Sequence, residues 1–415
     1  MPAHLVFITL FLGLVSGKQM VQLHADAAVK SIRILLAGQE VARLTQPPWR
    51  QEIDLGPELV PRELAAIGYD DKGEEIGRAT QVLNLPRPPA EVELVRQGDF
   101  VQLRWSNVEY KPPRSAKVTF DGALLRVDPE FRVELPKTDD TRPHVIDVEM
   151  RFDDGVIARR EAVIEGNVFS DTAETQLTPI VLRETSRRHP TTYDGCFSLP
   201  VAAIDKDDAH VILVKDPDGN DLVWAVGAWN MNIRREWDRW VRLDDDTTEE
   251  VLWPFTQRFA DASNRQVSQL FEHTDNVKLG MIRLLAAASR PGLGKKMMFA
   301  DAVAVAGLRA LLGGRRRAVV FVLSEGPDSS GNDPLAVRHY LDAVGVPFFV
   351  WSTTEPSPGA AERWGPVELI SNIDQLRHAV AKLKQTLAAQ RVAWVRAPAL
   401  EALRLRVDER CGYER

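Results

Sequence analysis

Residues 299–352 constrain the fold of this chain more than any other stretch, because they read as one helix–strand–helix–strand unit. The run FADAVAVAGLRALLGG is rich in small residues. It reads as a helix with apolar Phe299, Val303, Val305, Leu308 and Leu312, closed by Gly313 and Gly314. Arg315, Arg316 and Arg317 then precede AVVFVL (318–323), a continuous apolar run of the kind buried on both faces of a parallel sheet. A polar turn comes next, Ser324-Glu325-Gly326-Pro327-Asp328. Asp333-Pro334 then supplies a cap and a first-turn proline for a second helix, with Leu335, Val337, Leu341 and Val344 inward. Gly345 ends that helix, and residues 347–351 form a further apolar strand. In open α/β sheets ligands bind outside the strands' carboxyl ends, so function is expected at residues 324–328.

Ala300-Asp301-Ala302 at the start of a helix, then an apolar strand and Ser-Glu-Gly-x-Asp, resembles the second half of a von Willebrand factor A domain. The closest group is the divergent bacterial one labelled VWFA-related. The resemblance covers residues 299–352, extends loosely over 205–296, and does not reach the N-terminal third. It implies an α/β Rossmann-like domain and a metal-ion-dependent adhesion site drawn from three loops. The family places Asp-x-Ser-x-Ser after its first strand, a threonine four residues before the helix-start aspartate, and Ser-Asp-Gly-x-Asp at the later strand end.

Each loop here departs from that pattern. HVILV (210–214) is followed by Lys215 and then Asp216-Pro217-Asp218-Gly219-Asn220, which offers oxygen ligands but also reads as a plain β-turn. The threonine position holds Met297, whose thioether is no ligand for a hard cation. The third loop keeps Ser324 and Asp328 but has Glu325 in place of aspartate. The ligand set carried over is therefore Asp216, Asp218, Asn220, Ser324, Glu325 and Asp328, a degenerate site. No cofactor is expected, Mg²⁺ or Mn²⁺ being the alternative.

The remainder of the chain divides by composition. Residues 5–15 (LVFITLFLGLV) are apolar but too short to span a bilayer, which takes about 20 residues. With small residues at 15–17 they read as a secretory signal peptide over 1–17, although no Lys or Arg precedes them; a buried first strand is the alternative. Short alternating runs separated by turn residues predict an all-β sandwich over 20–85, similar to bacterial immunoglobulin-like modules, and a second over 88–167 beyond Pro86-Arg87-Pro88-Pro89. Residues 168–194 read as an irregular connector, 195–396 as the α/β domain, and 397–415 as a charged tail. Within the α/β domain, 255–271 and 277–288 show helical spacing, 373–387 is a strong amphipathic helix capped by Ser371 or Asn372, and Val392–Val395 closes the sheet.

A net charge of −7 over 415 residues leaves no basic face for nucleic acid. Two cysteines, Cys196 and Cys411, allow at most one internal bridge; two free thiols are expected, a bridge being the alternative. Gly-x-Ser-x-Gly, His-Glu-x-x-His and Cys-x-x-Cys patterns are absent, and Pro291–Lys296 lacks the residues of a phosphate loop, so no enzyme is expected. Trp229, Trp237 and Trp240 fall in a segment with Arg234, Arg235 and Arg239. That is a composition found at protein interfaces and, less so, at sugar-stacking sites, although a packed insertion with Trp237 and Trp240 on one helix face explains it better. The expectation is an exported, non-membrane-spanning scaffold of a bacterial envelope or secretion that binds another protein. The alternatives are a working Mg²⁺/Mn²⁺ adhesin and a hydrolase built on the strand-end carboxylates.

Overall fold

The computed structural model describes residues 4–415 apart from 12, 108–110, 137–142, 154, 166–172, 187–192, 194, 217–240, 256, 261–265, 270–272, 275–280, 288–295 and 324–325. In the first third, strict alternation decides the structure. SIRILL presents Ile32, Ile34 and Leu36 to one face and polar or half-buried residues to the other. Among the described residues seven strands result: β1 (Leu5–Phe7), β2 (Lys18–Ala25), β3 (Ser31–Leu36), β4 (Gln39–Leu44), β5 (Arg50–Asp54), β6 (Arg62–Tyr69) and β7 (Glu75–Leu83). They form two sheets, β1-β2-β5 and β4-β3-β6-β7, closed over Val21, Ile32, Ile34, Ile53 and Leu64.

The stretch expected to be a signal peptide is stitched into this sandwich. Leu5 pairs opposite Ala25 and is buried in the core. Val15 exchanges hydrogen bonds with the Asn84 side chain at 2.7 and 3.0 Å, and the Gly17 amide donates to the Gly56 carbonyl at 2.7 Å. An apolar run of that length suits a leader or a strand equally; here its backbone finds partners on β2.

The second sandwich comprises β8 (Ala90–Gln97), β9 (Phe100–Asn107), β10 (Ser115–Phe120), β11 (Ala123–Leu125), β12 (Arg132–Glu134), β13 (Pro143–Arg151), β14 (Ile157–Glu165) and β15 (Ala173–Gln176). Its sheets run β11-β10-β13-β14-β15 and β12-β9-β8. Asp121 and Gly122 both take positive φ, +48° and +80°, as a two-residue hairpin joining β10 to β11 requires.

Among the described residues the C-terminal half holds two larger sheets and a two-stranded hairpin. One runs β22-β19-β18-β23-β24-β25, from β18 (Ala209–Val214), β19 (Thr247–Leu252), β22 (His273–Thr274), β23 (Arg316–Val322), β24 (Phe348–Ser352) and β25 (Val367–Leu369). Its pairings are parallel except at the edge strand β22. β18 lies directly beside β23, with Val214 opposite Phe321, so their carboxyl ends share one rim. Among the described residues, helices α1 (Met281–Ala286) and α5 (Ile373–Ala389) cover the face carrying Val211 and Leu213. The opposite face, with Ile212 and Val214, is covered by α2 (Phe299–Leu311), α3 (Pro334–Ala343) and α4 (Pro358–Trp364).

Helix α2 buries Phe299 and Val303 together with a stripe of small residues. Its inward stripe is Ala300, Ala302, Val303, Ala306, Gly307 and Ala310, while Val305 and Leu308 are only partly covered. The reason is close approach: a Cβ on Gly307 would collide with Leu341 Cδ2 on α3. Helix α3 starts as anticipated, the Asp333 carboxylate accepting from the Leu335 amide at 2.9 Å, but Leu335 itself is exposed. At α5 the cap is reciprocal. Asn372 Oδ1 accepts from the Gln375 amide at 3.0 Å, and Gln375 Oε1 accepts from the Ser371 amide and hydroxyl.

The other sheet is antiparallel and runs β17-β26-β16-β27, from β16 (Thr178–Glu184), β17 (Val201–Asp205), β26 (Gln390–Val395) and β27 (Tyr413–Glu414). Three expectations are corrected here. The connector over 168–194 contains β15 and β16, Val392–Val395 belongs to this sheet and not to the parallel one, and the charged tail is folded down. Helix α6 (Ala399–Ala402), Leu405 and Tyr413 pack into the core of that sheet, and Cys196 is bonded to Cys411, not left as a free thiol. The predicted helix over 255–271 is likewise replaced by the hairpin β20 (Gln257–Ala260) and β21 (Gln266–Gln269).

Arginines join the units. Arg396 grips Glu161 of β14 in a bidentate pair at 2.9 Å, and Arg151 of β13 reaches Asp207 at 2.8 Å. From the first sandwich, Leu59 is buried in the same cluster as α2 and α3.

Candidate functional site at the carboxyl rim of the parallel sheet

The rim is built by the segments that leave the carboxyl ends of β18 and β23. After Val214 comes Lys215, only 2% exposed, whose ammonium donates to the Leu285 carbonyl at 2.7 Å and to the Ala287 carbonyl. It sits 5.4 Å from the centroid of the Trp253 ring. These carbonyls lie at the C-terminal end of α1, the negative end of the helix, so the charge is held by dipole and hydrogen bonds. Asp216 comes next, at the surface boundary.

Beyond β23, two aspartates lock the loop to the start of α2. Asp328 Oδ1 accepts from the Phe299 amide at 2.9 Å, the Ser330 amide at 3.0 Å and the Ser330 hydroxyl at 2.6 Å. Its Oδ2 accepts from the Ala300 amide at 3.2 Å. Asp301, on the first turn of α2, reciprocates: Oδ2 accepts from the Gly331 amide, and Oδ1 from the Asn332 amide and side chain, at 2.8–3.0 Å. The Ser329 amide donates to the Met297 carbonyl at 2.8 Å, completing the clasp.

A divalent cation fits these described residues poorly. The four N–H and O–H donors surrounding Asp328 compete directly with a metal for its lone pairs, a buried ammonium precedes Asp216, and Met297 supplies no hard oxygen. No group of three or more His, Cys, Asp or Glu suited to a metal occurs among the described residues. Of the candidates, Asp216 and Asp328 are placed at the common rim. Asp218, Asn220, Ser324, Glu325 and Trp229, Trp237 and Trp240 lie outside the described residues.

A second polar cluster, not anticipated from the sequence, lies at the opposite end of the same strands. His210 Nε2 is 3.0 Å from Glu250 Oε2, and Arg315 Nη2 is 3.3 Å from His210 Nδ1. Arg309 completes it, 2.6 Å from Glu250 Oε1. Arginine only donates, so Nδ1 accepts and the ring proton sits on Nε2 facing the carboxylate. Burial pushes the His210 pKa below its ordinary value, an effect that the Glu250 hydrogen bond opposes and the Arg315 charge reinforces. The unfolded chain therefore binds this proton more readily than the folded one, and stability falls as pH drops below about 6.5. Chemical denaturation between pH 7 and 5 should show that loss, and His210→Gln should flatten it. An unchanged slope in the variant would assign the acid sensitivity elsewhere.

No protein-family model matches this chain, and no curated protein matches it. Several solved structures are distantly similar. The fibronectin(III)-like modules of Clostridium thermocellum CbhA align at 12% identity and a TM-score of 0.17, over 20% of this chain and all of that one. Proximal thread matrix protein 1 from the mussel byssus aligns at 16% identity and 0.29, over 46% of this chain and 49% of its own. The central fibronectin-III array of RIM-binding protein aligns at 11% identity and 0.21, over 48% of this chain and 83% of its own. At such scores none of them bears on function. Among the described residues no helix is long and apolar enough to cross a membrane.

Proposed function

We propose that this chain is a non-enzymatic protein-binding or scaffolding component, a von Willebrand factor A-like domain carried on two immunoglobulin-like sandwiches, with a degenerate metal-ion-dependent adhesion site. The observation that carries this is the use of Asp328 and Asp301 as reciprocal caps between the rim loop and α2. Carboxylates that would coordinate a cation instead hold a fixed polar surface, on which a partner protein docks. Export to a bacterial envelope or secretion is part of the proposal; the Cys196–Cys411 bonding supports it, since such bonds persist in oxidising compartments.

The test is thermal unfolding of wild type and Asp328→Ala with EDTA or with millimolar Mg²⁺ or Mn²⁺. Losing the cap should cost about 1 kcal/mol, equally with and without metal, and wild type should show no metal-dependent shift. A rise in the wild-type Tm with Mg²⁺ or Mn²⁺ that Asp328→Ala abolishes would replace this proposal with a working metal-dependent adhesin.

A further inference from the structure

Where the linker after β7, strand β14, the antiparallel sheet and the end of α2 meet, they border an open-mouthed cavity of about 180 Å³. An engineered apolar hole of about 150 Å³ already accommodates benzene, so this space suits a small organic molecule. Pro88, Leu177, Leu312 and Leu403 give it apolar walls, and Arg317 and Trp394 also line it.

Arg317 is the unusual member. It is 2% exposed, and its backbone is fixed by the Gln390 side chain, at 2.7 Å to the amide and 2.9 Å to the carbonyl. Its guanidinium makes one long contact, Nη2 to the Val344 carbonyl at 3.5 Å, and Nε has no partner. Among the described residues no carboxylate pairs with it, whereas its neighbour Arg316 meets Asp246 at 2.6 Å. Burial lowers the Arg317 pKa to about 10, an effect that Tyr340 partly opposes. At neutral pH the side chain remains a cation. Trp394, 1% exposed, likewise leaves its indole N–H without an acceptor, and the Arg159 guanidinium lies 4.7 Å from its ring centroid. A buried cation with no counter-charge is among the costliest arrangements in a protein interior, and orphaned buried donors call for an acceptor.

We propose that this cavity binds a small organic carboxylate, the anionic end taken by Arg317 and Trp394 and the hydrocarbon body by Pro88, Leu177, Leu312 and Leu403. Arg87, Arg159, Arg160 and Glu91 also border the cavity. Arg159 is already held by Glu149 and Asp205, and Glu91 would repel a doubly charged anion. The apolar walls therefore favour a singly charged carboxylate with a hydrophobic body over phosphate. The cavity draws its walls from the linker, the second sandwich and the C-terminal half, so occupancy ties these units together. This inference is independent of the rim and its partner.

Hexanoate, neutral hexanol and inorganic phosphate serve as probes on the full chain, read by thermal unfolding and hydrogen–deuterium exchange. Hexanoate should raise Tm with concentration and slow exchange at residues 90–92, 157–160 and 311–314, while hexanol and phosphate should not. Arg317→Met should weaken hexanoate binding at least about tenfold, the scale of a lost charged hydrogen bond, and should raise the Tm of the free protein. The exchange map needs no variant, so it decides even if Arg317→Met folds badly. No hexanoate shift, protection confined to other segments, or a response to phosphate alone would each overturn the proposal.

Discussion

Serine at both Cys196 and Cys411 should lower the unfolding free energy by up to about 5 kcal/mol. The two positions are 215 apart in sequence, so the bond encloses the whole parallel sheet with its helices. In the chain-entropy account, closing a loop of about 100 residues stabilises by roughly 4.7 kcal/mol, and doubling the loop adds little more than half a kcal/mol. Native packing at the site provides a reference that the variant keeps. Tyr193, Phe197 and Tyr413 cluster with ring centroids 6.1–6.4 Å apart, and the Asp408 amide donates to the Cys196 carbonyl at 2.9 Å. The double variant should therefore fold to the same sheet, with β27 exchanging amide protons faster than the rest. Urea titrations of the oxidised chain, the reduced chain and the double variant measure the effect. Coincident midpoints would mean that the unfolded chain is already held together without the bond.

Much of the α/β half was legible because its strands are apolar on both faces and its helices carry explicit caps. Residues 210–214 and 318–323 announced buried strands, Asp333-Pro334 and Asn372 announced helix starts, and Gly345 announced a stop. The alternating runs of the N-terminal half did the same for two sandwiches. The features that local sequence hides depend on contacts far apart in the chain. Strand β16 lies in a polar-looking stretch and gains its identity only by pairing with β26, over two hundred residues on. No local spacing signals that Cys196 meets Cys411. At the rim, sequence could nominate Asp328 as an oxygen ligand but not reveal that backbone amides already surround it, since those amides come from residues 299, 300 and 330. The arginine run was the least transparent. The three charges read only as a segment preceding the strand at 318–323, yet Arg315, Arg316 and Arg317 are all buried, the last two within β23.

Arg316→Met should therefore be severe, at about 3–5 kcal/mol, the range for breaking one side of a buried polar network. The guanidinium is 2% exposed and spends its donors on three elements: the Asp207 carbonyl before β18 at 2.6 Å, the Leu387 carbonyl near the end of α5 at 3.0 Å, and Asp246 before β19 at 2.6 Å. Methionine keeps the apolar stem and much of the volume, so the loss isolates the hydrogen bonds and not a cavity. Two carbonyls are left without this donor, each costing about 1–3 kcal/mol. The Asp246 carboxylate adds less, because it is partly exposed and water replaces the lost partner. Lysine should not rescue the variant, since a single ammonium cannot match a planar fork spread over three acceptors. Lys382→Met, which removes an exposed pair with Glu368, gives the surface comparison and should stay within about 0.5 kcal/mol. Urea unfolding of these variants beside Arg317→Met makes the contrast sharp. Adjacent arginines, one with its guanidinium spread over three acceptors and one without a counter-charge, should shift stability in opposite directions; an Arg316→Met variant within about 1 kcal/mol of wild type would show that the network at the base of β23 contributes little.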